Sequence, residues 1–179
     1  MKHNGLSEAG AETSRRAHAL PPIVDVQLKY ALATRGPEAK IFTVLHELGI
    51  SATRYGVYSR GLLTGSTPTS KTDYRKYLPR FTGERGSHNE AAIDALRASA
   101  KDRSMTSAQV LVARVLAKEP TLVPIVGARN VSQLTDALGA LTRPLSQDDL
   151  HALEALLPAG TSQGDRYPSE QLRHLDSER

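Results

Sequence analysis

The sequence predicts an α/β fold built on a parallel sheet. Short apolar runs that read as strands alternate with segments of helical periodicity. The run Ile23–Leu28 (IVDVQL) puts Val24, Val26 and Leu28 on one face and Asp25 and Gln27 on the other. A strand of an open doubly wound sheet is usually apolar on both faces. A polar residue pointing inward at a strand's carboxyl end suits a (β/α)8 barrel, which keeps its sites there. A full barrel takes about 250 residues. This chain has 179, with three clear strands and a remnant at Lys2–Leu6.

After the strand 23–28, Pro37–Leu48 reads as a helix, with Ile41, Val44, Leu45 and Leu48 at i, i+3, i+4 and i+7. Pro37 suits its first turn and Gly49 the position after its end. Ile50–Val57 is the second strand, closed by a turn at Gly61. Gly65–His88 is irregular and rich in Ser, Thr, Pro, Lys and Arg. Asn89 reads as the N-cap of a helix to about Ala100, with Ile93 and Leu96 inward. Thr106–Gln109 is a capping box opening a buried helix to about Lys118. Leu122–Val126 is the third strand. Asn130 caps a helix carrying Val131, Leu134, Leu138 and Leu141, and Ser146–Asp149 caps a last one to Leu157. Residues 158–179 read as a polar, weakly patterned tail.

Composition narrows the function. Cysteine is absent, which excludes disulfides, thiol catalysis and thiolate metal sites. The 23 basic against 19 acidic residues give a net charge of +4. With aromatics at 4% and no Trp, this bias fits a small anionic ligand better than nucleic acid. No apolar run reaches the ~18 residues of a membrane span, and the first twenty residues lack the apolar core of a secretory signal. A cytoplasmic location is expected, without membrane or nucleic-acid partners.

Two segments could carry chemistry. Arg54–Gly65 (RYGVYSRGLLTG) lies at a strand's carboxyl end. Its glycines allow close backbone approach, Arg60 can fork onto phosphate, and an aromatic at the strand tip can stack on a flat ring. It is equally the pattern of a Gly-rich turn with packing tyrosines. In Pro124–Gln133 (PIVGARNVSQ) a strand ends, a glycine turns, and a capped helix begins beside Arg129. Free N–H groups and the helix dipole favour an anion there, although an ordinary βα loop with a solvated Arg has the same pattern. Gln27 could read an amide through its paired donor and acceptor, or be a satisfied core residue. The six histidines are dispersed, Tyr74–Tyr77 reads as a solvated loop, and Asp148–Asp149 as helix-capping charge; no metal site is expected.

Together these segments resemble the aldo/keto reductase family. Tyr55–Gly65 resembles its YSPLGRGLLTG segment and Pro124–Arg129 its PIPGTR segment. Gly5–Glu8 is similar to its GLSN or GLSE turn, Val26–Tyr30 to its VQxEYS segment, and Leu78–Phe81 to the LPRF of a bacterial subgroup. Order and spacing agree from about Lys2 to Leu157. The resemblance implies the C-terminal half of a (β/α)8 barrel, about strands 5–8 with their helices, over residues 1–157, followed by the tail 158–179. It implies NADP(H) as cofactor. Ser7 and Gln27 would contact the nicotinamide amide and Tyr55 would stack on the ring. Gly56, Tyr58, Arg60 and Gly61 would line the pyrophosphate. Gly127, Ala128, Arg129, Gln133 and Asp136 would surround the 2′-phosphate and adenine.

This chain departs from the family at Glu8 and Ala137, where many members have Asn. The family's catalytic Asp, Tyr, Lys and His come from the first four βα units, so the resemblance implies no catalytic residue here. The expectation is a carbonyl reductase fragment, inactive alone, that meets its carbonyl substrate only when the other half is supplied. The alternative is a half-barrel NADP-binding module that self-associates through its open side or pairs with a separate N-terminal half. A nucleic-acid-binding domain is the remote third reading.

Overall fold

The computed structural model describes residues 2–119, 121–160 and 162–178. Among these, four strands form one parallel sheet in the order β1–β2–β3–β4: Asn4–Ser7, Ile23–Lys29, Ala52–Tyr55 and Leu122–Pro124. The helices are α1 (Ala11–His18), α2 (Ile41–Glu47), α3 (Gly83–Asp102), α4 (Ser107–Lys118), α5 (Val131–Leu138), α6 (Gln147–Leu156) and the short α7 (Ser169–Leu172). Each neighbouring strand pair is joined by at least one helix, the crossover that parallel pairing demands. No helix among the described residues is long and apolar enough to cross a membrane.

The period-2 pattern of β2 sorts its faces. Val26, Leu28 and the following Tyr30 are 0% exposed and join a core with Leu45, Leu96, Leu111, Val115 and Leu153. Asp25 and Gln27 take the opposite face and are half-buried. Val24 departs from the expected alternation. The pairing with β1 shifts register between Asn4/Gly5 and Ile23/Asp25, which leaves Val24 43% exposed.

Local chemistry sets most helix ends. The Thr106–Gln109 and Ser146–Asp149 capping boxes are both formed, and Asn130 accepts from the Gln133 N–H. Gly49 ends α2 with φ +66°, as its position requires. Two expectations are corrected. The helix expected from Pro37 is a 3-10 turn, Gly36–Glu38, broken from α2 at Lys40 (φ −141°). Asn89 is no N-cap, because α3 begins at Gly83. Its amide instead donates to the Arg80 and Gln163 carbonyls and accepts from the Gln163 N–H. A tertiary contact with the tail therefore takes the side chain that local pattern assigned to a cap.

A buried ion network ties the helices to the sheet. Arg114 of α4, 1% exposed, donates to Glu38 at 3.0 Å and Glu154 at 2.6 Å. Arg35 and Lys118 reach the same two carboxylates, and the Tyr30 hydroxyl donates to Glu38 at 2.6 Å. Burial alone would raise the Glu38 carboxyl, but hydrogen bonds from Arg35 and Tyr30 and the charges of Arg114 and Lys118 hold it at about 2. A carboxylate depressed in the folded state stabilises it above its ordinary value of 4.5 and loses that contribution as pH falls toward 2. Urea midpoints measured from pH 6 to pH 2.5 should therefore fall, and Glu38→Gln should flatten the fall while lowering the midpoint at pH 6. An unchanged slope in the variant would contradict the network's role.

Candidate functional site

The two segments singled out in the sequence meet at the carboxyl ends of β3 and β4. β3 ends at Tyr55, and Gly56 turns the chain with φ +71°. Ser59, Arg60 and Gly61 then follow with φ of 50°, 60° and 87°. Left-handed backbone costs a non-glycine residue about 1–2 kcal/mol, and such strain concentrates at functional sites. Gly61 could not carry a side chain, because an added Cβ would stand 2.8 Å from the Ser66 Cβ. After β4 the chain turns at Gly127 into α5, whose entry is held by Asn130 and by Gln133, which accepts from the Arg129 N–H at 2.8 Å.

Between these turns lies a cleft of about 990 Å³. Of the predicted site residues it is lined by Gly56, Tyr58, Arg60, Gly61, Gly127, Ala128, Arg129, Gln133 and Asp136. Ser7, Gln27 and Tyr55 lie outside it. Ser7 and Gln27 are register partners at the tips of β1 and β2, and Tyr55 pairs with Lys29 on the next two strands. The predicted set thus runs from the tips of β1–β3 into the cleft.

The cleft carries unused polar capacity. The Arg129 guanidinium makes no hydrogen bond or ion pair among the described residues and is exposed. The Tyr58 hydroxyl is buried without a partner among the described residues, and burial first, then the charge of Asp136, pushes it up to about 12. Asp136 itself accepts from Thr106 at 3.0 Å.

Sequence reasoning missed one wall of the cleft. Tyr74 and Arg75, read as solvated loop, line it with Ser66, Thr67 and Thr69. Arg75 forks onto Asp73 and donates to the carbonyls of Arg60 and Thr67, so one guanidinium organises the loop. The tail was missed as well. Residues 162–178 fold back over the strand tips. Arg166, 4% exposed, pairs with Glu8 and donates to the Tyr55 hydroxyl at 3.2 Å. Ser177 also donates to Glu8, and the Gly10 N–H donates to Asp176 at 2.6 Å. The Arg60 guanidinium lies 4.6 Å from the Tyr167 ring centroid and donates to the Arg166 carbonyl. Glu8, a departure in the sequence, is thus the anchor of this strap. Burial would raise its carboxyl, but Arg166 and Ser177 outweigh that and lower it.

The comparisons with known proteins agree with this architecture. The family model described as Aldo/keto reductase family matches residues 1–158. The chain is 36% identical over 172 residues to probable aldo-keto reductase 1 of Glycine max, covering 93% of this chain and 49% of that protein. It is 29% identical over 184 residues to aldo-keto reductase str7 of Strobilurus tenacellus, covering 99% and 55%. Among solved structures, glycerol dehydrogenase AKR11B4 from Gluconobacter oxydans superposes with a TM-score of 0.80 at 24% identity, covering 87% of this chain and 49% of that one. The thermostable aldo-keto reductase Tm1743 gives 0.65 at 23%, covering 87% and 48%. The chain belongs to the aldo/keto reductase family of oxidoreductases, and it spans about half the length of the curated relatives it matches.

Breaking a buried ion pair at one partner typically costs about 3–5 kcal/mol. Glu8→Gln should therefore speed amide hydrogen exchange across residues 162–178 more than tenfold while α4 stays protected. Unchanged exchange in the tail would show that the pair does not hold the strap.

Proposed function

We propose that this chain forms the cofactor-binding side of an NADP(H)-dependent carbonyl reductase. The observation that carries the reading is the cleft, where two segments seventy residues apart in sequence converge with unpartnered polar groups on its walls. The family generally uses NAD(P)H; the preference for the phosphorylated form is read from Arg129. Its unpaired guanidinium stands at the entry of α5, where the helix dipole adds to its charge, and a 2′-phosphate is the dianion such a site suits. Gln133 and Asp136 beside it would take adenosine donors and acceptors. Gly56, Tyr58, Arg60 and Gly61 would hold the pyrophosphate, and Ala128 with Gly127 keeps the turn clear of side chains that would block it. At the other end Tyr55 would stack on the nicotinamide while Ser7 and Gln27 fix its amide. When bound, the nicotinamide supplies the hydride that turns a carbonyl into an alcohol.

The acid–base groups, on this reading, belong to the part of the relatives' length that this chain does not match, and the chain corresponds to strands 5–8 of the barrel. Two surfaces support this. Val123 of β4 and Ile125 just after it are 55% and 43% exposed on the sheet face that no described helix covers. Val131, Leu134, Leu138 and Leu141 form an exposed apolar stripe along α5 and the turn after it. Both are surfaces that adjoining βα units would bury. Without those units, the same surfaces would drive self-association.

Arg129→Ala should weaken NADPH binding by about tenfold or more, the worth of a charge-assisted hydrogen bond, and leave NADH nearly unchanged by calorimetric titration. Equal losses for both would contradict the 2′-phosphate assignment. The purified chain should not oxidise NADPH with a panel of aldehydes and ketones; turnover that disappears in Tyr55→Ala would contradict the placement of catalysis elsewhere.

A further inference from the structure

Lys29 ends β2 on the same face as Asp25 and Gln27, yet it is only 3% exposed, because the tail covers it. Its surroundings repel a cation. Arg60, Arg80 and Arg166 act on it, and Glu8 opposes them. Glu8 is committed elsewhere: its oxygens accept from Arg166, from Ser177 and from the Lys29 backbone N–H, not from the side-chain amine. Among the described residues no hydrogen bond or ion pair reaches Nζ. The stem lies against Gly56, where an added Cβ would stand 3.5 Å from Cε, so the lysine sits directly beneath a residue that lines the cleft. Nζ is 5.9 Å from the centroid of the Tyr167 ring, which also receives the guanidinium groups of Arg60 at 4.6 Å and Arg166 at 5.5 Å. The residue stands where the resembled VQxEYS segment has glutamate, and nothing in the nucleotide reading uses it.

We propose that Lys29 is a nucleophilic amine enclosed beneath Gly56 and the tail, beside the cleft, one that condenses with small aldehydes to form an imine. The nitrogen lone pair attacks the carbonyl carbon and forms the C–N bond. The resulting carbinolamine loses water, which carries away the carbonyl oxygen and the two hydrogens of the amine, and leaves a C=N bond. No electrons are exchanged and no co-reactant is needed, so the step stands independently of cofactor binding. Burial first, and the three guanidinium groups second, lower the ammonium to about 7. A large share of the amine is then unprotonated at neutral pH, where an exposed lysine is almost wholly charged. Tyr167 is the lid over Nζ, and movement of the strap admits the aldehyde.

Propionaldehyde with cyanoborohydride, which reduces an imine to a stable propyl-lysine, tests this on the unaltered protein. Initial rates are read site by site by peptide mass spectrometry between pH 6 and pH 8. Lys29 should be propylated about tenfold faster at pH 7 than the exposed Lys40, Lys71, Lys76 and Lys101, its neutral fraction outweighing its restricted access. Its rate should climb through pH 7 and level off, while theirs climbs throughout. Lys29 labelled no faster than those four at pH 7, or with their pH profile, would overturn the proposal.

Discussion

Everything in this molecule follows from a parallel sheet that is covered by helices on one face only. The period of a strand is two, so each strand residue is committed either to the helical layer or to the open side. Val26 and Leu28 are sealed under helices, and Asp25, Gln27 and Lys29 are thereby forced onto the other face. A slip of one residue would bury two charges and expose the core. The same rule places Tyr55 on the open side and Arg54 under the helices, where it is fully buried. On β2 and β3 the open side is therefore the polar side, and its carboxyl end carries the candidate site residues Gln27 and Tyr55.

Buried charge gives this layer its fixed geometry. Arg114 has carboxylates from two separate segments, and leaving a buried charge unpaired would be costly, so α4, α6 and the turn at Glu38 are locked together. Glu8 does the same for the strap, through Arg166. Arg54 is the contrast. It has only the Val26 carbonyl at 3.4 Å and the face of Phe42 at 4.5 Å, and burial lowers its guanidinium to about 10. Asp25 and Glu8 oppose that lowering from a distance, but among the described residues no carboxylate forms an ion pair with it.

The parts legible in the sequence were those governed by local rules. Capping boxes, the Asn130 cap, Gly49 and the alternation of β2 from Asp25 to Leu28 all announce themselves within a few residues, and the structure has them. The cleft was legible in pieces, because a glycine turn after a strand and an Arg beside a capped helix each have a local signature. The other parts are tertiary. Asn89 carries the composition of a cap and serves the tail instead, since its amide finds the Arg80 and Gln163 backbone. The tail has no periodicity to betray it, and Arg166 and Tyr167 meet Glu8, Tyr55, Arg60 and Lys29, more than a hundred residues earlier. Nothing local to Lys29 signals its burial, which depends on the distant Tyr167.

We propose that the cleft between the two turns receives the phosphorylated adenosine end of a dinucleotide. Amide chemical-shift mapping during a titration with 2′,5′-ADP tests this most directly, since that probe carries the 2′-phosphate without the nicotinamide. Saturable shifts should concentrate at Gly127–Gln133 and extend to Gly56–Gly61, with β1 and the tips near Ser7 unmoved. Shifts centred elsewhere, or none at millimolar probe, would contradict it.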